Sequence, residues 1–416
     1  MLTRTILSAL LLTATTLVGT VLADTECGPP ACEPIACTLE PCPAPCESIG
    51  CDPCAPACGS SVFKLFRGGS RIKVNGWIEA GIIGNSHGAD YNGGAFLYAP
   101  QTTKFNVNQI WLSAEREMDA SKGFDWGAKL DYMFGMEGPG VQSYGDESFD
   151  YNWNTSDDYG SGFHQLFFTL GYKDFSIKVG KFGTPIGWEE TRSWDNFFYS
   201  HSNAFYIEPC THTGFLASYA VNDWLTVFAG WTAGMENFAN RYNDNAFLGG
   251  FEAKLSENGM LYYYLTNGRE HEGRLRDGSL RHGGLGDSDY FIQSICYEWN
   301  ITDRWTYLFQ YDLHNANYHG VRWSAYAINN LLFYKINDKW AAGLRFEWMR
   351  DNGGDAGWLG PVASDYYEYT LGVNWNPTDH LRIRPEIRYD RAAEAKPFGN
   401  NRSDQFSGGF AVLWGF

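Results

Sequence analysis

The segment Phe175-Ser176-Ile177-Lys178-Val179-Gly180 alternates apolar and polar residues without a break, which is the period of a strand whose two faces meet different surroundings. A tight break, Lys173-Asp174, separates it from the strand-like run before it. A long aromatic and acidic excursion, 184–210, follows it before the next run opens at Thr211. This unit recurs along the chain. Runs at 71–83, 105–118, 124–135, 163–172, 175–183, 211–220, 224–234 and 246–255 are followed by runs at 260–267, 290–300, 305–314, 324–336, 340–350, 365–376, 381–391 and 405–416. Short breaks carrying Asn, Asp, Gly or Pro, the residues tight turns require, alternate with longer connections. The pattern predicts an all-β chain forming a transmembrane antiparallel β-barrel of about sixteen strands (range about 12–18), with short turns at one end and long loops at the other.

Charge shows which face is which. In 381–390 every second residue is charged: Arg382, Arg384, Glu386, Arg388 and Asp390. One charge near the bilayer midplane on the lipid face costs about 2–4 kcal/mol, so this row must face a watery lumen. Arg345, Glu347, Asp125, Lys129 and Asp131 are assigned to the lumen wall in the same way, together with Glu115, Lys178, Asp312 and Glu368. The opposite faces carry Ile383, Ile387, Trp340, Leu344, Phe346, Trp348, Phe124 and Trp126. Their aromatics gather near the ends of runs, as in the girdle of a membrane barrel. At about sixteen strands the interior becomes a channel instead of a core of side chains.

The excursion 184–210 is the third long connection. Trp188, Trp194, Phe197, Phe198, Phe205 and Tyr206 would be costly to expose together on an outer surface. Pro185 and Pro209 bracket it and help to end strand pairing. The expectation is an inward-folded loop that forms the pore constriction with Glu189, Glu190, Arg192 and Asp195. Its acids would then stand across a water-filled gap from Arg382, Arg384 and Arg388, a transverse field that tunes ion preference.

Residues 1–23 have a single charge, Arg4, followed by an apolar run and small residues before Asp24, the pattern of a secretory signal peptide. Residues 24–61 then form a Cys- and Pro-rich segment. Cys27, Cys32, Cys37, Cys42, Cys46, Cys51, Cys54 and Cys58 lie in it, and it contains no Lys, Arg or His before Ser60. So short a segment cannot bury a core of its own. Disulfides in an oxidising envelope, a thiolate metal site and a disordered spacer all remain open. A cross-linked tether to neighbours or to the wall layer is the favoured reading. The barrel occupies 62–416. Its two cysteines, Cys210 and Cys296, fall toward opposite ends of their runs and are not expected to bond to each other.

The formal net charge of −17 excludes nucleic acid as a partner, since phosphate binding needs a basic face. No stretch after the leader approaches the ~18 uncharged apolar residues of a membrane helix. Enzyme chemistry finds no support. There is no GxSxG elbow, and His271-Glu272 lacks the second His of a zincin motif. His164, His201 and His212 frame the excursion, and they are read as polar residues and not as metal ligands. No cofactor and no metal are expected.

In the terminal run Phe406, Gly408, Phe410, Val412, Trp414 and Phe416 share one face, resembling the C-terminal signature by which outer-membrane proteins are recognised for insertion. The segments FNVNQIWLSAEREMDASKGFDWGAKLDYMFG, VGKFGTPIGWEET, FFYSHSNAF and HTGF resemble the OmpL-like β-barrel porins of bacterial outer membranes, over roughly residues 74–416. The resemblance implies a passive outer-membrane pore and brings no catalytic residues. The function expected is passive diffusion of small hydrophilic solutes or ions. The alternative is a structural envelope protein whose barrel anchors the cross-linked segment. Expected partners are outer-membrane lipid, polar solutes or ions, and copies of the chain or disulfide-linked neighbours.

Overall fold

The computed structural model describes residues 71–88, 104–143, 149–156, 158–238, 244–270, 288–318, 321–353 and 362–416. The expectations for 1–23 and for the cysteines of 24–61 lie outside these residues.

Sixteen strands follow one another. They are β1 (Ile72–Asn85), β2 (Asn106–Arg116), β3 (Phe124–Gly135), β4 (Gly160–Tyr172), β5 (Phe175–Gly183), β6 (Thr211–Asn222), β7 (Leu225–Met235) and β8 (Asn245–Ser256). The second half comprises β9 (Gly259–Glu270), β10 (Ser288–Asn300), β11 (Trp305–Tyr318), β12 (Val321–Lys335), β13 (Trp340–Asp351), β14 (Ser364–Thr378), β15 (Leu381–Ala392) and β16 (Asp404–Gly415). Each strand pairs antiparallel with its sequence neighbours, and β1 pairs with β16 to close the barrel. Closure leaves no strand edge unpaired, which the hydrocarbon core of a membrane demands. The strand count and the alternation of short and long connections agree with the sequence pattern.

Local chemistry explains the short turns. Asn222 Oδ1 accepts the N–H groups of Trp224 and Leu225, and Asn337 Oδ1 accepts those of Lys339 and Trp340. A side chain therefore stands in for a backbone turn at both places. At the seam, Trp77 to Asn85 of β1 register with Gly415 to Ser407 of β16. Phe416 extends the pairing, exchanging hydrogen bonds with Gly76 at 2.9 and 3.1 Å.

The outer face is an apolar belt: Phe124, Trp126, Phe168, Val179, Phe215, Trp231, Leu344, Leu371, Ile387 and Trp414 are all exposed. The inner face differs around the circumference. From β13 through β16 to β3 it carries Arg345, Glu347, Glu368, Arg384, Glu386, Arg388, Glu79, Gln109 and Asp131, all buried. From β4 to β10 it carries Phe167, Phe182, Leu216, Leu248, Tyr264 and Ile292, which belong to one apolar cluster.

Candidate functional site: the loop inside the barrel

Residues 184–210 connect β5 to β6 and contain only two short 3₁₀ turns, Ser193–Asp195 and Ala204–Ile207. Most of their backbone groups lack a regular partner, yet groups buried in a barrel must find one. Wall side chains supply them. The Glu386 carboxylate accepts the N–H groups of Tyr199 (2.7 Å) and Ser200 (3.1 Å). The Glu347 carboxylate accepts those of Asn203 (2.8 Å) and Ala204 (2.5 Å). Arginines take the carbonyls: Arg384 donates to Ser193 (2.9 Å) and Asn196 (3.1 Å), Arg388 to His201 (2.5 Å) and Arg382 to Trp194 (2.7 Å). Arg345, fully buried, donates to the Ser200 carbonyl at 2.9 Å and pairs with Glu189 at 2.5 Å and Glu368 at 2.8 Å. Further along, the His314 ring bonds the Ile207 carbonyl (2.9 Å) and Gln310 donates to Glu208 (2.6 Å). On β2, Gln109 donates to the Thr191 carbonyl (2.7 Å) and accepts the Ser193 N–H (3.2 Å). The polar pins of the loop thus lie on the wall formed by β11 to β16, β1 and β2, while Ile186, Ala204 and Ile207 join the apolar cluster that includes Phe182 and Leu216 of the opposite wall.

Its aromatics are seated by glycines on that wall. A Cβ at Gly343 of β13 would fall 2.4 Å from a ring carbon of Phe197, and one at Gly372 of β14 would fall 2.9 Å from a ring carbon of Phe198. Only glycine lets these rings lie against the backbone. Trp194 meets Gly415 and Tyr199 meets Gly81 in the same way. Trp194 also tilts against Trp77, which stacks on Trp111 at 4.9 Å. Polar pins and apolar seats therefore act on the same stretch of chain.

This placement changes the electrostatic picture drawn from the sequence. Arg384 and Arg388 do not face the loop's acids across a gap, because they hold the loop's own carbonyls. Each also has a wall carboxylate: Arg384 pairs with Glu79 at 2.5 Å and Arg388 with Asp390 at 2.7 Å. Glu189 is sequestered with Arg345. Asp195 pairs with its neighbour Arg192 at 2.9 Å. Glu190 is exposed to the lumen, and its carboxylate has no ion pair among the described residues. Its depth in the barrel, then Asp195, push that carboxyl above its usual range, while Arg192, Lys129 and Lys178 pull it down. Lys129 pairs with Glu115 at 3.3 Å. Lys178 has no ion pair among the described residues and lies over the Phe167 and Phe182 rings.

Other loop groups are neutral. Burial, then the Asp312 carboxylate, hold Glu208 protonated well above its usual range. Burial, then Arg345, Arg384 and Arg388, keep His201 uncharged against Phe205. His164 packs on Trp111, and His212 bonds Thr184. Among the described residues no group of His, Cys, Asp or Glu is arranged to hold a metal ion. Cys210 and Cys296 are free thiols.

Sequence reasoning missed the seats and the aromatic wall. The signal for the seats was present as glycines at inward positions, Gly343 and Gly372, on strands that also set Arg345, Glu347 and Glu368 inward. β6 and β7 offered no comparable cue, because alternating charge was the only guide to facing and they carry none.

The family description "Putative beta-barrel porin-2, OmpL-like" matches residues 71–416. The chain belongs to that family. It is an outer-membrane porin, a channel and not an enzyme. Solved structures share the porin's fold at low identity. OmpT of Vibrio cholerae in its trimer form is 12% identical with a TM-score of 0.54, covering 83% of this chain and 99% of that one. The outer membrane channel DcaP of Acinetobacter baumannii is 10% identical with a TM-score of 0.55, covering 83% and 97%. An anion-selective porin from Comamonas acidovorans is 10% identical with a TM-score of 0.55, covering 83% and 99%. None of the curated proteins compared matches the chain.

Proposed function

We propose that small hydrophilic solutes and ions cross this porin by passive diffusion along the wall the loop leaves uncovered. The supporting observation is the division of exposure inside the barrel. Inward residues under the loop, such as Thr370 and Ser407, are buried. Ser176, Lys178, Ser218, Phe228 and Tyr262, on the short-turn halves of β5, β6, β7 and β9, keep part of their surface open. Glu190 and the Arg192–Asp195 pair border this passage from the loop, and Lys129 and Lys178 border it from β3 and β5. The constriction field is therefore assigned to Glu190 against Lys129 and Lys178, whereas Glu189, Arg345, Glu347, Arg382, Arg384, Glu386 and Arg388 position the loop.

The test is the reversal potential of purified porin in planar bilayers under a KCl gradient. Glu190→Gln should move it toward anions and Lys178→Gln toward cations. If neither variant changes it, the passage does not run between these residues.

We further propose that residues 1–23 are a cleaved signal peptide and that 24–61 tether the barrel through disulfides. Eight cysteines in a short exported segment support the tether. A copy-to-copy assembly is proposed from the trimer form of the OmpT relative. Porin migrating as a single chain without reductant, and as a monomer in native detergent extracts, would oppose both.

A further inference from the structure

The passage proposed above, on which this inference rests, carries an arrangement that ion flow alone does not call for. Lys178 Nζ stands 4.8 Å from the centre of the Phe167 ring and 5.4 Å from that of Phe182, with no carboxylate paired to it among the described residues. Further round the same wall, Phe228 of β7 and Tyr262 of β9 keep part of their surface open, and Trp188 of the loop lies 6.2 Å from the Tyr262 ring. Gly250 of β8 registers opposite Phe228 on one side and Tyr264 on the other. A Cβ at Gly250 would come within 2.7 Å of a Tyr264 ring carbon, so that ring crosses the glycine close to the wall. Phe228 packs against it at 5.3 Å. The result is a shallow aromatic strip with an unpaired ammonium at one end.

Apolar surface facing lumen water is unfavourable unless something passing through covers it. A neutral polyol would need several free hydrogen-bonding side chains beside the rings, but of the two carboxylates near Tyr262, Glu298 and Glu252, Glu252 already accepts the Tyr264 hydroxyl at 2.7 Å. A cation would find the faces of Phe167 and Phe182 already taken by Lys178. We propose that the passage is a transit site for small amphipathic monoanions, molecules with one carboxylate and a flat apolar body. The carboxylate meets Lys178 and the body slides over Phe228, Tyr262 and Trp188. A charge-assisted contact at one end and a stacking surface at the other favour such a solute over an equally charged one without a flat body.

Bi-ionic reversal potentials with potassium benzoate on one side and potassium acetate on the other test this, using the full-length porin in planar bilayers. The expected benzoate-to-acetate permeability ratio is roughly fivefold, the worth of one good aromatic contact. The double variant Phe228→Ser with Tyr262→Ser should bring the ratio to about one, whereas Lys178→Gln should lower the permeability of both anions relative to potassium and Lys178→Arg should preserve it. A wild-type ratio of about one, with KCl selectivity still responding to Glu190→Gln, overturns this inference and leaves the passage in place. A high ratio that survives the double variant, or anion permeabilities that ignore Lys178→Gln, also overturns it. KCl selectivity that ignores both Glu190→Gln and Lys178→Gln overturns the passage itself, and this inference with it.

Discussion

The wall of β13 to β16 and the wall of β5 to β9 share one barrel, yet they treat the lumen differently. The first sets Arg345, Glu347, Glu368, Arg384, Glu386, Arg388 and Asp390 inward, and every one is buried. The second sets Lys178, Phe228 and Tyr262 inward and leaves part of each open. The second wall is open only toward its short-turn end, since Phe182, Leu216, Leu248 and Tyr264 higher on it are buried. The charges of the first wall serve as anchors for a loop backbone that has no sheet or regular helix to bond to, and the proposed passage runs along the short-turn half of the sparser wall. In a porin, then, a row of charged inward residues is not by itself evidence of a field in the passage.

Breaking the charged wall should have the largest effect. Arg345→Ala leaves Glu189 and Glu368 buried without their partner, a change that costs about 3–5 kcal/mol. The expected outcome is a loop released from β13, seen as new protease cleavage within 184–210 and a higher, noisier conductance. The matching change on the open wall, Lys178→Ala, should alter selectivity and leave the loop protected. Unseating an aromatic should have a smaller effect. Gly343→Leu forces Phe197 off its seat at a cost of about 1–3 kcal/mol, lowering the temperature at which the loop becomes protease-sensitive. The same substitution at Gly123, where a Cβ meets nothing within 4 Å, should leave that temperature within a few degrees, although its φ of +144° adds local strain.

The gentlest lever is pH. Glu137, in the connection between β3 and β4, accepts a hydrogen bond from Gln109, which also holds the loop at Thr191 and Ser193. Burial, then the Glu79 carboxylate, push its pKa up to about 8 from a usual 4.5. A carboxyl raised in the folded state contributes stability that is full below its unfolded value and is lost as pH rises through the folded one. Loop protection should therefore decline between about pH 4.5 and 8 and level off above that, monitored as the amide-exchange protection of Ser193, and Glu137→Gln should flatten that decline.

Much of this was legible in the sequence, and the residues show why. Strict alternation in 381–390 and 175–180 marked strands and their faces, because a charge on the lipid side is prohibitive. The Asn- and Asp-bearing breaks marked the turns, since Asn222 and Asn337 carry their turn hydrogen bonds themselves. Clustered Trp and Phe marked 184–210 as an inward loop. The partners of that loop were not legible. Arg384 to Ser193 and Glu347 to Asn203 join positions far apart in sequence, and nothing in the spacing of a charged row says whether its side chains will meet water or a backbone. The aromatic strip was hidden for a different reason: Phe228 and Tyr262 sit on strands where both faces are largely apolar, so alternation is silent about which one faces in.

The central claim is that the loop covers one wall and leaves the passage along the other. Cysteine accessibility tests it directly, in a background with the native cysteines replaced by serine. Ser176→Cys and Ser218→Cys sit on the open wall, and Thr370→Cys and Ser407→Cys on the covered one. A membrane-impermeant, charged thiol reagent is added from the short-turn side while current is recorded in a planar bilayer. The account predicts a stepwise fall in current for Ser176→Cys and Ser218→Cys and no change for Thr370→Cys and Ser407→Cys. Rapid modification and current loss at Thr370→Cys or Ser407→Cys, with Ser176→Cys and Ser218→Cys silent, would contradict it.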